Sequence, residues 1–519
     1  MTPLLTISIV LGAIAAVPIA GRWLRVAQRE HYIAPWVSRL AQLWFAVRPI
    51  NAVFGVLALV LILVSVGGTF GLAELEYAVV PAIVIIAMLP MGLGVRGTSA
   101  KLAWTDRLKR LTVLWVVLML LVGFLFTLAV GPAGIAFTLF FAPVVTDAAL
   151  AILKPVEKRL SRKWMLSARK RLRQVQPTVV AITGSYGKTS TKGYVSHVLS
   201  GSYSVVASPA SFNNLMGLSR AVNDRVIPGT EVFIAEMGVY GRGEIRELSE
   251  SFPPDIAAIT TIGEAHLARM GSREVIFQAK SEITEKAGTV VLPIDETELA
   301  GLAVACRDQG KRVITVSTVP GTDADVVVDA AAETVSVREG DIVATAHVVV
   351  PGVGHAVNLA VSVGIAHALD IPLATIATRL GALPDSPHRA EVQHAETGVV
   401  VIDDTYNSNP VGAERALRGA AAIAAERGGP LVVVTPGMVE LGSVQAARNE
   451  AFAASVASLG GHLFAIARTN RSALVAGATS GGGQVRIFDR RTEAVAAALD
   501  QAGDRGVILY ENDLPDHYP

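Results

Sequence analysis

The stretch 184-GSYGKTS-190 combines residue types that bind phosphate groups. It follows an apolar, β-branched run at 178–184, which predicts a buried strand, and it precedes helix-compatible apolar spacing over 188–201. At such a junction the backbone N–H groups and the helix dipole attract anionic oxygens. Lys188 could reach the β- and γ-phosphates of a nucleotide, and the Thr189 hydroxyl could ligate Mg²⁺. The stretch therefore predicts a nucleotide site, with a tight strand–helix turn as the alternative.

The spacing of this loop is shorter than in the usual P-loop, because Ile182 stands where that pattern has its first glycine. The glycines that remain let the backbone approach a phosphate closely. The residues predicted to hold the nucleotide phosphates are Gly184, Ser185, Tyr186, Gly187, Lys188, Thr189 and Ser190.

The composition divides the chain into two parts. Of its 519 residues 51 % are hydrophobic and its mean hydropathy is +0.48, and this apolar excess lies before residue 155. The formal net charge of +1 argues against a nucleic-acid partner, since no excess of cations is available to neutralise phosphates. The single cysteine, Cys306, excludes a disulfide framework and a cysteine-only metal cluster, and no role is predicted for it.

Residues 1–153 are typical of a transmembrane helix bundle. Their apolar segments each approach the ~20 residues that a helix needs to cross the hydrocarbon core. The segments lie at roughly 3–20, 50–71, 77–95, 111–130 and 133–153. We therefore predict about five spanning helices, with four as the alternative. The first segment is the weakest of them and could be a signal peptide, although no basic region precedes it.

Charged residues in the connections predict the orientation of these helices. Lys and Arg are concentrated between the first and second segments, between the third and fourth, and in 154–173, which holds nine of them. Basic loops stay in the cytoplasm. The pattern favours a multi-pass protein of the cell membrane, with its N-terminus outside and its catalytic domains cytoplasmic. Residues 154–173 are predicted to be a basic cytoplasmic linker, either as a stop signal or to hold anionic lipid headgroups or substrate.

Asp147 is the one obvious charge inside the apolar segments. An acidic residue at membrane depth is costly and usually faces a partner within the bundle. Two roles are equally open, a structural hydrogen bond between helices or a contact with a lipid-linked substrate. The segments show neither an internal repeat nor the broken-helix pattern common in transporters.

Beyond residue 173 the sequence is typical of soluble α/β domains. Glu236 ends an apolar strand pattern at 231–236, and His266 ends another at 256–266. Ligands of α/β enzymes bind at the carboxyl ends of strands, so both side chains are candidates for a site. Further strand patterns, separated by Ala-rich helical stretches, predict a second parallel α/β domain. They lie at 398–403, 431–435, 463–467 and 506–510.

Six short motifs accompany the phosphate loop. They are 212-FNNLMG-217, 235-AEMG-238 with 243-GEI-245, 261-TIGEAHL-267, 279-AKSEI-283, 403-DDTYNSNP-410 and 437-GMVELG-442. With these motifs in this order, residues 174–519 resemble the Mur ligase superfamily, the ATP-dependent amide-bond ligases of peptidoglycan synthesis. The likeness is greatest to the branch that adds D-Ala-D-Ala to a UDP-linked tripeptide, and the chain is also similar to the poly-γ-glutamate capsule synthetases.

The resemblance implies a fold and a reaction. The transmembrane bundle would be followed by a P-loop Mur ligase central ATP-binding domain at 174–388 and a Rossmann-like C-terminal domain at 389–519. ATP would convert a carboxylate into an acyl phosphate, which an amine then attacks with loss of phosphate. The protein would supply positioning and charge neutralisation, assisted by Mg²⁺ and most plausibly by two ions.

The resemblance also implies roles for individual residues. Glu236, His266 and Lys280 match metal-binding positions of the family, beside Thr189, and with Lys188 they form the expected catalytic set. Lys280 matches a lysine that is carbamylated in the family, which turns a cation into a carboxylate-like ligand.

Two further groups of positions follow from the family motifs. Those near the substrates are Asn213, Asn214 and Asn407. Those near ATP are Asn358, Arg389 and Asp404.

Several features depart from the family pattern. The family's UDP-binding N-terminal domain is expected to be absent, with the membrane bundle in its place. In 352–358 the family's histidine is displaced to His355, and 292-LPIDE-296 replaces an asparagine-containing motif. The stretch 508-ILYENDLPDHYP-519 replaces a Lys-Gly-Ser-type ending. It is expected to form an exposed tail or part of the amine-binding site through the carboxylates of Glu511, Asp513 and Asp516.

These departures predict that the ATP chemistry is kept and the substrates are changed. The favoured function is an ATP-dependent carboxylate–amine (acid–amino-acid) ligase that forms a cell-envelope amide or peptide bond. The alternatives are D-Ala-D-Ala addition to a soluble UDP-muramyl peptide, a poly-γ-glutamate-type polymer synthetase, and, from a different class, a nucleotide-regulated transport or scaffold protein. The expected partners are the carboxylate and amine substrates and membrane lipids, without nucleic acid. The sequence predicts no oligomeric state.

Overall fold

The computed structural model describes residues 2–97, 102–238, 240–340, 342–348, 356–383, 391–395, 398–406 and 408–519. The chain separates into two units. A helical unit contains Met1–Leu160, Ala467–Thr469 and Leu514–Pro519, and an α/β unit contains Ser161–Ile466 and Asn470–Asp513.

The first part of the chain is built from α-helices packed around buried tryptophans, among them Trp23, Trp44 and Trp115. The helices are α1 (Pro3–Arg29), α2 (Trp36–Val47), α3 (Pro49–Phe70), α4 (Val79–Met88), α5 (Asp106–Val130), α6 (Ala133–Phe140) and α7 (Ala142–Val175).

Among the described residues, α1, α3 and α5 are long and apolar enough to cross a membrane, and α6 with α7, bent by 64°, could form a fourth crossing. The third predicted segment differs, because α4 has ten residues and spans only about 15 Å at 1.5 Å per residue. The helix stops at Met88 because Pro90 disfavours a helical conformation at the preceding Leu89. The described helices therefore allow three or four crossings, which agrees with the alternative of four spans rather than with five.

Polar side chains of the helical unit hold the non-helical segment that follows α4. Arg22 donates hydrogen bonds to the carbonyl oxygens of Leu89 and Leu93, both at 3.1 Å, and Arg25 donates to the Gly94 oxygen at 2.8 Å. Irregular backbone at membrane depth needs such internal partners. Both arginines were expected in a basic loop, but α1 continues to Arg29, so part of the charge that predicts orientation also stabilises the fold.

Asp147 has a structural role. Its carboxylate accepts hydrogen bonds from the N–H groups of Val37 at 3.2 Å and Ser38 at 2.8 Å, in the first turn of α2. The N-cap of this helix is Pro35, which has no side chain that could cap these groups. Asp147 supplies the missing acceptor from α7, and the contacts therefore support the structural alternative.

The basic segment 154–173 lies inside α7, which continues from the helical unit into the α/β unit. Its Lys, Arg, Leu and Ala residues are strong helix formers, and it contains no glycine. Ala168 and Leu172 pack into the apolar core of the α/β unit, against Val179 and Phe233.

The α/β unit has two sheets in the described residues, joined by helices. The first sheet contains β1 (Thr178–Thr183), β2 (Val205–Ala207), β3 (Val232–Glu236), β4 (Ile256–Ile259), β5 (Thr289–Pro293), β6 (Arg312–Ser317), β7 (Val326–Asp329), β8 (Thr334–Glu339) and β9 (Ile342–His347). The second contains β10 (Glu391–His394), β11 (Val400–Asp404), β12 (Leu431–Thr435), β13 (His462–Ile466), β14 (Val485–Phe488) and β15 (Val507–Glu511).

The helices of this unit alternate with the parallel strands. Those around the first sheet are α8 (Lys188–Leu199), α9 (Leu215–Arg225), α10 (Glu244–Ser251), α11 (Leu267–Met270), α12 (Arg273–Ser281), α13 (Thr297–Asp308), α14 (Ala356–Ala368) and α15 (Leu373–Leu380). Those around the second are α16 (Pro410–Arg427), α17 (Gln445–Ser458), α18 (Arg471–Ser480) and α19 (Arg491–Ala502).

The strand orders are β2-β3-β1-β4-β5-β6-β7-β8-β9 and β10-β11-β15-β12-β13-β14. The first order places the carboxyl ends of β1, β3 and β4 side by side, which is where the phosphate loop and Glu236 emerge. Both sheets are mixed, since β7-β8, β8-β9 and β10-β11 pair antiparallel. The second domain is thus not fully parallel as predicted, because the short connections at these pairs allow only antiparallel hairpins.

Candidate active site

The phosphate loop follows β1 and leads directly into α8, as the sequence predicts. Gly187 is the N-cap of α8 and has a left-handed conformation with φ of 78°. A Cβ atom there would lie 2.1 Å from Oδ1 of Asn358, so the position requires glycine. Asn358, on α14 and 8 % exposed, therefore packs against the loop that it was expected to accompany.

Two lysines converge on one backbone oxygen of this loop. Lys188 Nζ donates to the Gly184 carbonyl at 2.6 Å, and Lys280 Nζ, from α12, donates to the same oxygen at 3.0 Å. Lys280 is only 3 % exposed. Burial, and secondarily the charge of Lys188, lower the pKa of Lys280 well below its ordinary value. A lysine in such surroundings is readily neutral and can act as a nucleophile.

Glu236 ends β3, beside the loop. Its carboxylate accepts a hydrogen bond from the Thr189 hydroxyl at 3.1 Å and forms an ion pair with Lys192 at 2.8 Å, and Asn213 donates to it at 3.4 Å. Burial raises the pKa of Glu236, but the charge and hydrogen bond of Lys192 outweigh this and lower it. The site therefore contains a buried, charged carboxylate next to the phosphate loop.

No role was predicted for Lys192 from the sequence, although its spacing from Lys188 indicates that the two side chains share a helix face. It lies four residues after Lys188 on α8, and side chains four apart share one face of a helix. Asn214, in contrast, was expected near the substrate but acts as the N-cap of α9, where its Oδ1 accepts the Gly217 N–H at 2.9 Å.

His266 is the N-cap of α11 and has a left-handed conformation, with φ of 61°. Its Nδ1 is hydrogen-bonded to the carboxylate of Glu440, which also accepts a bond of 2.8 Å from Arg269. Burial raises the pKa of Glu440, but the bonds from His266 and Arg269 outweigh it and bring the pKa to about 2. A carboxylate that holds Nδ1 fixes the imidazole ring and directs Nε2 towards a possible ligand. Glu440 lies in a quoted motif, 437–442, for which the sequence predicted no role.

Substituting Glu440→Gln is expected to weaken the binding of Mg²⁺. Carboxylates behind a ligating histidine typically account for 10- to 100-fold in metal affinity or activity. The Mg²⁺ concentration for half-maximal ATP turnover should rise by about that factor. Glu285→Gln provides the control, because Glu285 forms a surface ion pair with Arg246 at 2.6 Å. Equal Mg²⁺ curves for both variants would contradict the orienting role.

Thr189 and Glu236 offer the oxygen atoms that Mg²⁺ prefers. This ion takes one or two protein ligands and keeps several waters, and the hydroxyl and carboxylate lie 3.1 Å apart. No cluster of three His, Cys, Asp or Glu side chains suited to a metal occurs within the described part of the chain.

A pocket of about 640 Å³ opens beside the loop. Tyr186 and Glu264 line it on the side of the first sheet, and Arg415 and Arg418 of α16 line it on the side of the second. Arg448, also in the lining, forms two hydrogen bonds with Glu264, at 2.5 and 2.8 Å. The volume suits a nucleotide, and the arginines suit its phosphates. These arginines were not predicted from the sequence, because the pocket joins segments that are distant in the chain and match no phosphate motif.

Of the remaining predicted residues, Asp404 lies in the described part of the chain. Asp404 ends β11, and its charge acts on Arg415 of the pocket and on Glu511. Arg389, Asn407 and His355 lie outside the described residues.

The expectation that residues 508–519 form one exposed tail is wrong. Glu511 is fully buried at the end of β15, where its carboxylate accepts hydrogen bonds from the hydroxyls of Thr435 and Ser408. Burial raises the pKa of Glu511 to about 8. Asp513 forms an ion pair with Arg491, and Asp516 forms one of 2.7 Å with Arg25. Glu511 therefore joins the carboxyl ends of β11, β12 and β15 in one polar cluster.

The buried Glu511 should make the α/β unit less stable as pH rises. An unfolded chain loses this proton near the ordinary value of 4.5, whereas the folded protein keeps it to about pH 8. The stabilising contribution is thus complete below pH 4.5 and declines up to pH 8, by on the order of 4 kcal/mol. Glu511→Gln cannot ionise and should lose most of this decline. Urea titrations followed by proteolysis at pH 6 and pH 8 would capture about half of this decline, with the exposed Glu426→Gln as the control. An unchanged pH dependence in Glu511→Gln would refute the assignment.

Together, a phosphate loop on one α/β sheet and a second α/β sheet whose residues reach the same pocket define a two-domain P-loop protein. The chain matches the Mur ligase middle domain over residues 182–366 and the Mur ligase glutamate ligase domain over residues 388–510. The chain belongs to the Mur ligase family.

Relatives and solved structures agree with this membership. The UDP-N-acetylmuramoyl-tripeptide–D-alanyl-D-alanine ligase of Mycobacterium tuberculosis (strain ATCC 25618 / H37Rv) is 35 % identical over 252 residues, which are 48 % of this chain and 49 % of that protein. The ligase of the same name from Synechocystis sp. is 30 % identical over 346 residues, which are 65 % of this chain and 72 % of that protein. The chain thus spans about half the length of the mycobacterial relatives. The MurF ligase of Thermotoga maritima in complex with ADP has a TM-score of 0.57 at 23 % identity, over 68 % of this chain and 80 % of that one, so it shares the fold.

Proposed function

We propose that the α/β unit is an ATP-dependent ligase that joins a carboxylate to an amine through an acyl phosphate. The observation that carries this proposal is the convergence of Lys188, Lys280 and the Thr189–Glu236 pair at the carboxyl edge of one sheet. Cations and metal-binding oxygens at one edge suit phosphoryl transfer, in which catalysis consists mainly of positioning and charge neutralisation.

In this proposal the residues divide the work. Lys188 exchanges its bond to the Gly184 carbonyl for the β- and γ-phosphates, and the backbone N–H groups of Gly187 to Ser190, at the N-terminus of α8, hold phosphate oxygens. The N–H groups of Ser185 and Tyr186 instead donate to Thr261. Asn358 and Asp404 accompany the nucleotide, as do the pocket arginines. Bound Mg²⁺ supplies charge neutralisation, with Thr189 and Glu236 holding one ion and His266 contributing to a second.

Lys280 is proposed to be carbamylated. Its neutral amine adds to CO₂, forming an N–C bond and releasing one proton, and the product is a carboxylate on the lysine. Support comes from the lowered pKa of Lys280 and its burial beside Lys188, where a second cation is unfavourable. Incubation with ¹³C-bicarbonate should produce a carbamate NMR signal that Lys280→Arg lacks.

The proposed substrates are a carboxyl-terminated envelope precursor and an amino compound. The names of the relatives describe ligation of D-alanyl-D-alanine to a UDP-N-acetylmuramoyl tripeptide, and Asn213, proposed to contact the substrate, lies beside Glu236. The three or four apolar helices support a multi-pass membrane location, with the catalytic unit in the cytoplasm and a membrane-linked substrate. A poly-γ-glutamate-type synthetase remains an alternative, distinguished by products of many lengths.

The test uses the full chain purified in detergent with ATP, Mg²⁺ and hydroxylamine, and a panel of carboxylates analysed by mass spectrometry. The panel contains UDP-muramyl peptides, lipid-linked muropeptides, glutamate and oligoglutamate. Hydroxamate formed from one carboxylate class supports the acyl phosphate and identifies the substrate. ATP hydrolysis without any hydroxamate would overturn the proposal and favour the transport or scaffold alternative, for which the 64° bend between α6 and α7 is a specific observation.

A further inference from the structure

Two side chains of α8 bind the same oxygen atom of Glu236. The Thr189 hydroxyl donates to Oε2 at 3.1 Å, and Lys192 Nζ donates to the same atom at 2.8 Å. A carboxylate oxygen accepts about two hydrogen bonds through its lone pairs, so these donors saturate Oε2. Asn213 reaches the other oxygen, Oε1, at 3.4 Å. A metal ion can therefore bind Oε2 only by replacing one of its two donors.

Of these two donors, Lys192 is the one that opposes a metal ion. A hydroxyl can bind a metal ion through its own oxygen, whereas an ammonium has only donors and carries a positive charge. Lys192 and Glu236 are 6 % and 3 % exposed, so their charges are screened little by solvent. A divalent ion on either oxygen of Glu236 would lie close to the ammonium and be repelled by it.

Lys192 also has a second acceptor nearby. Its Nζ lies 3.5 Å from the carbonyl oxygen of Pro209, in the segment between β2 and α9. An ammonium has three donors, so a small shift towards Pro209 would strengthen this contact while releasing Oε2 of Glu236. This acceptor lowers the cost of separating the ion pair, because the buried ammonium keeps a hydrogen-bond partner.

We propose that Lys192 competes with Mg²⁺ for Glu236 and thereby sets a low affinity of this site for the metal ion alone. The inference rests on the proposed ligase function, in which Thr189 and Glu236 hold Mg²⁺. Phosphate groups bound at the N-terminus of α8 would add negative charge beside Lys188 and Thr189. That charge offsets the repulsion from Lys192, so the site takes up the metal ion together with a nucleotide rather than alone.

The competition is tested by Mn²⁺ titrations of the full chain in detergent, without nucleotide. Mn²⁺ is the probe because it prefers oxygen ligands as Mg²⁺ does, and electron paramagnetic resonance measures its binding independently of turnover. Lys192→Gln removes the charge and keeps a hydrogen-bond donor. It should raise the Mn²⁺ affinity at least tenfold, since a charge within 4–6 Å of a carboxylate typically changes its affinity for a cation by about 10- to 1,000-fold.

Two further variants make this titration specific. Lys192→Arg is the matched control, because it keeps the positive charge and should bind Mn²⁺ within about threefold of the parent. The double variant Glu236→Gln/Lys192→Gln should lose the binding that belongs to this site. Unchanged or weaker binding in Lys192→Gln would overturn the competition, since a lysine that only orients Glu236 would strengthen the site.

The outcomes separate this inference from the ligase proposal. Mn²⁺ binding that depends on Glu236 but not on the charge of Lys192 would overturn the competition alone. Absence of binding at Glu236 in every variant would overturn both the competition and the proposed Mg²⁺ site. Hydroxamate formation by the parent protein decides the ligase proposal separately.

A crystal structure of the parent protein with Mn²⁺ gives a second measurement that needs no substitution at Lys192. Anomalous scattering locates the ion. We expect Nζ of Lys192 to have moved from Glu236 to the carbonyl oxygen of Pro209. An ion bound to Glu236 while Nζ still lies 2.8 Å from Oε2 would overturn the competition.

Discussion

Replacing Lys188 by Ala is expected to lower ATP-dependent hydroxamate formation by about a thousandfold, since removal of one pre-organised charge donor costs 10²- to 10³-fold. Lys188 begins α8 and lies next to the loop carbonyl of Gly184, within reach of phosphates bound at the helix N-terminus. Turnover at saturating ATP would measure the loss. The effect should fall on kcat as well as on KM, because charge moves during phosphoryl transfer.

The control for this substitution is Lys286→Ala. Lys286 is exposed and belongs to the same domain, so its loss removes the same charge from the molecule without touching the loop. A Lys188→Ala protein that keeps more than a tenth of the parent rate would show that the loop does not carry the chemistry. The circular dichroism spectrum of both variants should match that of the parent.

Breaking the buried pair of Glu236 and Lys192 should have the largest effect on stability. Both residues are less than 10 % exposed, and their charged groups are 2.8 Å apart. Either Glu236→Gln or Lys192→Met alone leaves one buried charge unpaired, which costs about 3–5 kcal/mol. Hydrogen exchange of peptides that cover β1 and β3 would measure the free energy of opening of this region.

The double variant Glu236→Gln/Lys192→Met separates stability from catalysis. Removing both charges should restore most of the free energy of opening, to within about 2 kcal/mol of the parent, because no buried charge remains. Activity should stay lost, since the carboxylate proposed to hold Mg²⁺ is absent. Additive losses in the double variant would mean that the two side chains are not paired in solution.

The sequence predicted the parts of the site that depend on local pattern. The phosphate loop after β1 and the strand that ends at Glu236 follow from apolar runs next to glycine or polar residues, and the structure contains both. Glu440 and the pocket arginines could not be found in this way. These residues belong to the second domain. The spacing of apolar residues in the sequence does not predict that His266, next to α11, contacts Glu440 in the turn after β12, or that the arginines line the same pocket.

The apolar N-terminal part shows what hydropathy alone does not predict. Hydropathy located every apolar segment, but it could not distinguish a spanning helix from the ten-residue α4 followed by irregular backbone. A spanning helix and this segment are equally apolar. The segment differs in containing Pro90, which ends the helix, and in being contacted by Arg22 and Arg25, whose side chains bond the carbonyl groups that no helix satisfies. Charge counting likewise did not predict that Arg22 and Arg25 belong to α1 and donate hydrogen bonds to the backbone that follows α4.

The ion pair of Arg25 and Asp516 also constrains the order in which contacts of the helical unit can form during synthesis. The two residues are 491 positions apart, and at 5–20 residues per second a ribosome takes roughly 25–100 s to make the intervening chain. Asp147, which caps α2, follows Ser38 by 109 positions and emerges within roughly 5–20 s. The contact of Asp147 with α2 can therefore form early in synthesis. The ion pair of Arg25 with Asp516 can form only after both sheets have been translated. The helical unit can therefore gain all of its contacts only after the α/β unit has been synthesised.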